Sequence, residues 1–127
     1  MRGLMTIGAA ASAAALLAGC VGTPSLNGGF GAPSLVALQE MCGAEAVNYR
    51  DDAQPVYSTL FDAYVATRHG RISKPDFCAF QASIAQRYSA LGSGGGETRG
   101  QWATFFNEQR AKALSWRAAV DPTLRSG

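Results

Sequence analysis

The thiols of Cys20, Cys42 and Cys78 and the single imidazole, His69, are the most reactive side chains of this 127-residue chain. A thiol can be acylated, oxidised to a disulfide or bound to a metal, and an imidazole can act as a general base. A hydrolase needs such a base next to its nucleophile, with a third group to orient it. The sequence places His69 in an exposed turn. We therefore predict that the protein is not an enzyme, with a hydrolase as the alternative.

Cys20 closes a segment that has the order of a secretory signal peptide. One positive charge is followed by a run that is too short and too rich in alanine and glycine for a membrane-spanning helix, and then by small residues. The last four residues, Leu17, Ala18, Gly19 and Cys20, resemble the lipobox of bacterial lipoproteins. The resemblance implies a diacylglyceryl group on the Cys20 sulfur, cleavage before Cys20 and acylation of the new amino group. Two or three acyl chains give stable membrane anchoring.

The same resemblance implies a subcellular location. Residues 1–19 would be removed as the signal peptide, and the N-terminal lipid would hold the remaining chain at the bacterial cell envelope. In the enterobacterial pattern, an Asp after the acylated cysteine retains a lipoprotein in the inner membrane, and this chain has Val21 there. The resemblance therefore implies the outer membrane, with the protein facing the periplasm. An ordinary signal peptide cleaved at another small residue is the alternative.

Cys42 and Cys78 are the cysteines that remain for the folded part of the chain. The periplasm is oxidising, and a small domain often needs a covalent link, so we predict a disulfide between them. Two buried thiols or a metal pair are the alternatives. Neither cysteine has a second Cys or His at close ligand spacing, so we predict no metal site.

Two stretches have a partial likeness to ligand-binding loops. Residues 67–77 resemble the second half of an EF-hand calcium loop, but the early ligand positions lack oxygen donors and the closing acid is Asp76. The glycine-rich residues 92–100 lack the Lys-Ser or Lys-Thr of a phosphate loop. We predict helix connections at both places, with Ser73 and Thr98 as N-caps, and no cofactor.

Helical spacing of apolar residues predicts the fold class. Residues 20–33 are rich in glycine, proline and serine and predict a flexible tether after the acylated cysteine. Four segments with apolar residues three or four apart follow, at about 34–48, 55–68, 74–91 and 99–120. They predict an all-α domain over residues 34–121, a small antiparallel four-helix bundle, with residues 122–127 as a C-terminal tail.

The function is predicted from the address and from the aromatic residues of the last segment. The formal net charge is +2 and the arginines are scattered, so the chain lacks the basic stripe of a nucleic-acid-binding protein. Trp and Arg are common interface anchors, and Trp116, Arg117 and Arg125 are the candidate partner contacts. Our hypothesis is an envelope lipoprotein whose helical domain binds another envelope protein. The alternative is a periplasmic domain that binds a small molecule or a lipid inside the bundle.

Overall fold

Four helices pack against one another in the computed structural model, which describes residues 26–29, 31–92 and 94–121. Their bounds are Leu35–Glu40 for α1, Ala53–Arg68 for α2, Lys74–Arg87 for α3 and Glu97–Val120 for α4. A 3-10 turn, Arg50–Asp52, precedes α2, and a π-helical turn, Tyr88–Gly92, extends α3. The predicted all-α bundle is confirmed. The predicted signal peptide 1–19, the predicted lipidation site Cys20, the candidate contact Arg125 and the predicted tail 122–127 lie outside the described residues.

Helix α1 begins where the sequence predicts and ends much earlier. The Ser34 hydroxyl caps it by accepting a hydrogen bond from the backbone N–H of Ala37 at 3.0 Å. The predicted helix over 34–48 stops at Glu40, and Gly43 has a φ of +73°, which turns the chain out of the helical direction. The side-chain Oε1 of Gln39 then accepts the backbone N–H of Val47 at 2.8 Å. A side chain of the helix thus supplies one hydrogen bond to the segment that follows.

The connection between α2 and α3 has the predicted caps. Gly70 has a φ of +80° and leaves α2, and the Ser73 hydroxyl accepts the backbone N–H of Asp76 at 3.1 Å. The predicted cap of α4 is wrong. That helix begins at Glu97 after Gly96, and the Thr98 hydroxyl lies inside its first turn and donates to the carbonyl oxygen of Gly95 at 2.9 Å.

Aromatic contacts define the directions of the three long helices. Tyr64 near the end of α2 contacts Phe77 near the start of α3, with 6.4 Å between the ring centroids. Phe80 of α3 contacts Trp116 near the end of α4 at 5.1 Å. Tyr88 contacts Trp102 near the start of α4 at 5.2 Å. Helix α3 is therefore antiparallel to both α2 and α4.

The segment from α1 to Tyr49 lies along α3. The predicted disulfide is present and joins Cys42 to Cys78. Four residues earlier, the carbonyl oxygen of Leu38 accepts the side-chain Nε2 of Gln81 at 3.0 Å. The chain then turns back, and the Tyr88 hydroxyl donates to the carbonyl oxygen of Tyr49 at 3.2 Å. Helix α1 is thus antiparallel to α3, and residues 41–49 return along it.

All four helices contribute side chains to one hydrophobic core. The largest fully buried side chains of the described residues include Leu38, Tyr49, Tyr57, Leu60, Phe77, Ile84 and Trp102. None of the described helices combines the length and the apolar character that are needed to cross a bilayer.

Reduction of the disulfide is expected to lower the free energy of unfolding by about 3–4 kcal/mol, because the bond closes a loop of 36 residues in the unfolded chain. Urea denaturation of the oxidised and the reduced protein measures this difference. A loss well below 1 kcal/mol would show that the packing of α1 against α2 and α3 holds the N-terminal part without the covalent bond.

Substitution Gly92→Ala is expected to destabilise the fold by about 1–3 kcal/mol, the usual range for overpacking a buried position. A Cβ atom on Gly92 would overlap the Tyr88 ring, which is itself buried. Gly95→Ala is the matched control, since a Cβ there meets no atom within 4 Å. Thermal unfolding of the two variants compares them, and equal stabilities would mean that the Tyr88 ring moves aside at little cost.

Candidate functional site

Trp116 lines an open groove between α3 and α4, which we call the α3–α4 groove. Its volume is about 410 Å³, and its walls include Ile72, Asp76, Ala79, Phe80, Lys112 and Trp116. The Trp116 ring meets the edge of the Phe80 ring at an interplanar angle of 68°. Phe80 is 6 % exposed, so it forms the floor of the groove, while Trp116 remains partly open to solvent.

Charged side chains flank the aromatic floor. Lys112 lies one helical turn before Trp116, and its Nζ atom is 5.8 Å from the centroid of the Trp116 ring. Asp76, in the first turn of α3, lines the same groove. The groove thus offers an apolar surface together with one positive and one negative side chain. This combination can hold an apolar side chain and orient the polar groups beside it.

Arg117 points to a different neighbour from Trp116. Its Nη1 atom donates to Oδ1 of Asp62 on α2 at 2.8 Å, and its Nε atom lies 3.5 Å from Oδ2 of Asp121. The guanidinium also lies over the Phe61 ring, 5.6 Å from the centroid. Sequence analysis groups Arg117 with Trp116, but the structure does not bring them together on one surface. Arg117 connects α4 to α2.

Burial shifts the pKa of the Asp62 carboxylate in this contact. Its side chain is only 12 % exposed, and burial raises its pKa above the ordinary value of 3.8. The hydrogen bond and charge of Arg117, and the charge of Arg110, act in the opposite direction. Burial is the largest of these effects. It disfavours the charged form of Asp62, and Arg117 offsets part of that cost.

A second ion pair lies at the opposite end of the bundle. Arg99 donates to both carboxylate oxygens of Asp52, at 2.8 and 3.2 Å, and also to the carbonyl oxygen of Gly92. These residues line a groove of about 460 Å³ with Tyr88. Nearby, burial and the charge of Tyr88 raise the pKa of Tyr49 to about 12. Arg99 fixes the start of α4 to the start of α2 and the end of α3, which is a structural role.

His69 lies in an exposed position at the end of α2, as predicted. Across residues 26–29, 31–92 and 94–121, no three His, Cys, Asp or Glu side chains are close enough to share a metal ion. Sequence analysis missed Phe80, Ala79 and Lys112 as neighbours of Trp116. The spacing of Lys112 and Trp116 is the one local signal that could have indicated part of the groove.

Comparison of the chain with protein-family models, with curated proteins and with solved structures finds no match in any of the three.

Substitution Arg117→Met is expected to lower the free energy of unfolding at neutral pH by about 2–3 kcal/mol, because it leaves the Asp62 carboxylate buried without its donor. Lys112→Met is the control, since Lys112 is exposed on the same helix. Urea denaturation measures both. An Arg117→Met variant as stable as the wild type would mean that the fold does not need this ion pair. Arg117 would then again be a candidate partner contact.

The loss in Arg117→Met is expected to shrink at acidic pH. Because the pKa of Asp62 is raised in the folded state, the folded protein binds this proton more tightly than the unfolded chain does. The free energy of unfolding therefore falls as the pH rises from the unfolded to the folded pKa. Removal of Arg117 raises the folded pKa further and widens this window. A loss that is independent of pH would mean that lost packing, and not the unpaired carboxylate, causes it.

Proposed function

We propose that the protein is a lipid-anchored lipoprotein of the bacterial outer membrane, facing the periplasm, whose helical domain binds another envelope protein through the α3–α4 groove. The observation that carries the proposal is the partly exposed Trp116 ring, held against Phe80 beside Lys112 and Asp76. The partner would supply an apolar side chain for the aromatic floor, flanked by polar groups for the two charges. We infer that the protein is an accessory or structural subunit of an envelope complex.

The character of the groove supports a protein partner. Trp is enriched among the residues that contribute most to interfaces, particularly where it is backed by a packed neighbour. Oppositely charged residues at the edge of such a site select a partner and its register. The groove is open along its length, so it suits a side chain that arrives on a protein surface better than a small molecule that must be enclosed.

Two observations support the anchor. The Leu17-Ala18-Gly19-Cys20 sequence resembles a lipobox. The disulfide between Cys42 and Cys78 is of the kind that persists in oxidising compartments such as the periplasm.

The alternative, a ligand enclosed within the bundle, is less well supported. Tyr57, Leu60 and Ile84 are fully buried in the core, and the grooves described above lie at the surface. Mass spectrometry of the purified protein for a stoichiometric lipid or small molecule tests this alternative directly.

Crosslinking in intact cells, followed by pull-down and mass spectrometry, tests the proposal. The wild type is expected to capture one stoichiometric envelope protein, and Cys20→Ala is expected to lose it because the domain leaves the membrane. Absence of any partner, with the wild type still in the membrane fraction, would contradict the proposal.

A matched pair of substitutions tests the groove itself. Ala79 and Ala82 are both exposed on α3, but Ala79 lines the α3–α4 groove and Ala82 does not. Ala79→Arg is expected to fill the groove and abolish capture of the partner, whereas Ala82→Arg retains it. Thermal unfolding shows that both variants fold. Equal capture by the two variants would place the partner elsewhere on the domain.

A further inference from the structure

The described residues just before α1, 26–29 and 31–33, are attached to the domain. The carbonyl oxygen of Leu26 accepts the backbone N–H of Leu35 at 2.9 Å, and its side chain packs against the hydrophobic core. Gly29 and Ala32 exchange two backbone hydrogen bonds, at 2.9 and 3.3 Å. The Tyr57 hydroxyl donates to the carbonyl oxygen of Pro33 at 2.6 Å. These described residues of the predicted tether 20–33 are therefore attached to the domain.

Only residues 21–25 separate Cys20 from this attached segment. Even a fully extended chain covers at most roughly 3.3–3.6 Å per residue, so Cys20 and Leu26 are at most about 20 Å apart. Helix α4 has 24 residues and is itself about 36 Å long. The connection is shorter than the domain that it holds.

The part of the chain next to Leu26 carries no charged side chain before Glu40, which is exposed one helical turn after Val36. The chain has no Asp, Glu, Lys, Arg or His between Arg2 and Glu40. Val36, in the first turn of α1, is 48 % exposed and is one of two large hydrophobic side chains that the described residues leave exposed. An uncharged stretch of chain loses no ionic hydration when it meets lipid, and an exposed valine gains from contact with apolar groups.

We propose that the uncharged stretch that holds Leu26 and the exposed Val36 lies against the surface of the bilayer that holds the lipid. The hydrogen bond from Leu35 to Leu26 places Val36 close to the point where the chain enters the domain. The inference rests on the proposed acylation of Cys20 and adds the orientation of the domain to it. The short connection confines Leu26 to the region next to the headgroups, and the exposed Val36 with the uncharged residues before it makes contact there favourable. The domain thus lies on the membrane, with α1 towards the lipid.

The other exposed hydrophobic side chain provides the control. Leu114 is 40 % exposed and lies on α4, whereas α1 packs mainly against α2. With Cys42 and Cys78 joined and Cys20 acylated, a cysteine introduced at Val36 or Leu114 is the only free thiol. Each variant is labelled there with a fluorophore sensitive to polarity and reconstituted into vesicles of phosphatidylethanolamine and phosphatidylglycerol that contain nitroxide-labelled lipid.

The label in Val36→Cys is expected to be quenched several-fold more strongly than the label in Leu114→Cys. A flexible Gly-Ser insertion after Gly22, long enough to double segment 21–25, is expected to relieve that quenching without releasing the protein from the vesicles. Equal quenching at the two positions, or quenching that the insertion leaves unchanged, would overturn the proposed orientation.

Flotation of the vesicles separates this inference from the anchor. Protein that floats without selective quenching at Val36 has its lipid but not the orientation. Protein that does not float lacks the anchor, and both proposals then fall.

Discussion

The bond between Cys42 and Cys78 holds the N-terminal part of the described chain against the three long helices. Helix α1 has six residues, fewer than an isolated helix needs to persist in water. It is maintained by the Ser34 cap, by the hydrogen bond from Gln81 to the Leu38 carbonyl and by the covalent bond that follows it. The attachment of Leu26 depends in turn on Leu35 of α1. The cross-link, the side-chain hydrogen bonds at Ala37, Leu38 and Pro33, and the packing of Leu26 together set the position of the chain where it leaves the domain.

Trp116 and Arg117 are adjacent on α4 but contact different helices. Successive helical residues point about 100° apart, so Trp116 meets α3 and Arg117 meets α2. The ion pair of Arg117 fixes the distance and rotation of α4 relative to α2. That rotation sets how far the Trp116 ring extends from the groove. Arg117 thus positions the helix that carries Trp116 and does not itself line the proposed binding surface.

Local signals in the sequence were sufficient for the fold class, for the cap at Ser73 and for the pairing of Cys42 with Cys78. The early end of α1 was missed because the apolar spacing continues beyond Glu40, although Gly43 is a local signal for the end of a helix. The hydrogen bond from Val47 to the Gln39 side chain has no such signal in the sequence. The Asp62–Arg117 and Asp52–Arg99 pairs join residues 55 and 47 positions apart, and sequence offers no signal at such separations. The groove at Trp116 could be predicted only in part, since Phe80 and Ala79 approach it from another helix.

The few residues between Cys20 and Leu26 also affect how a partner is found. With the proposed lipid on Cys20, Leu26 stays within about 20 Å of that lipid, so the domain explores a thin layer above the bilayer. A partner anchored in the same membrane occupies the same layer, so the two meet by lateral diffusion at a high effective concentration. Under these conditions a single groove of modest size gives useful occupancy, because confinement to the membrane has already removed much of the translational freedom that binding from solution would have to overcome.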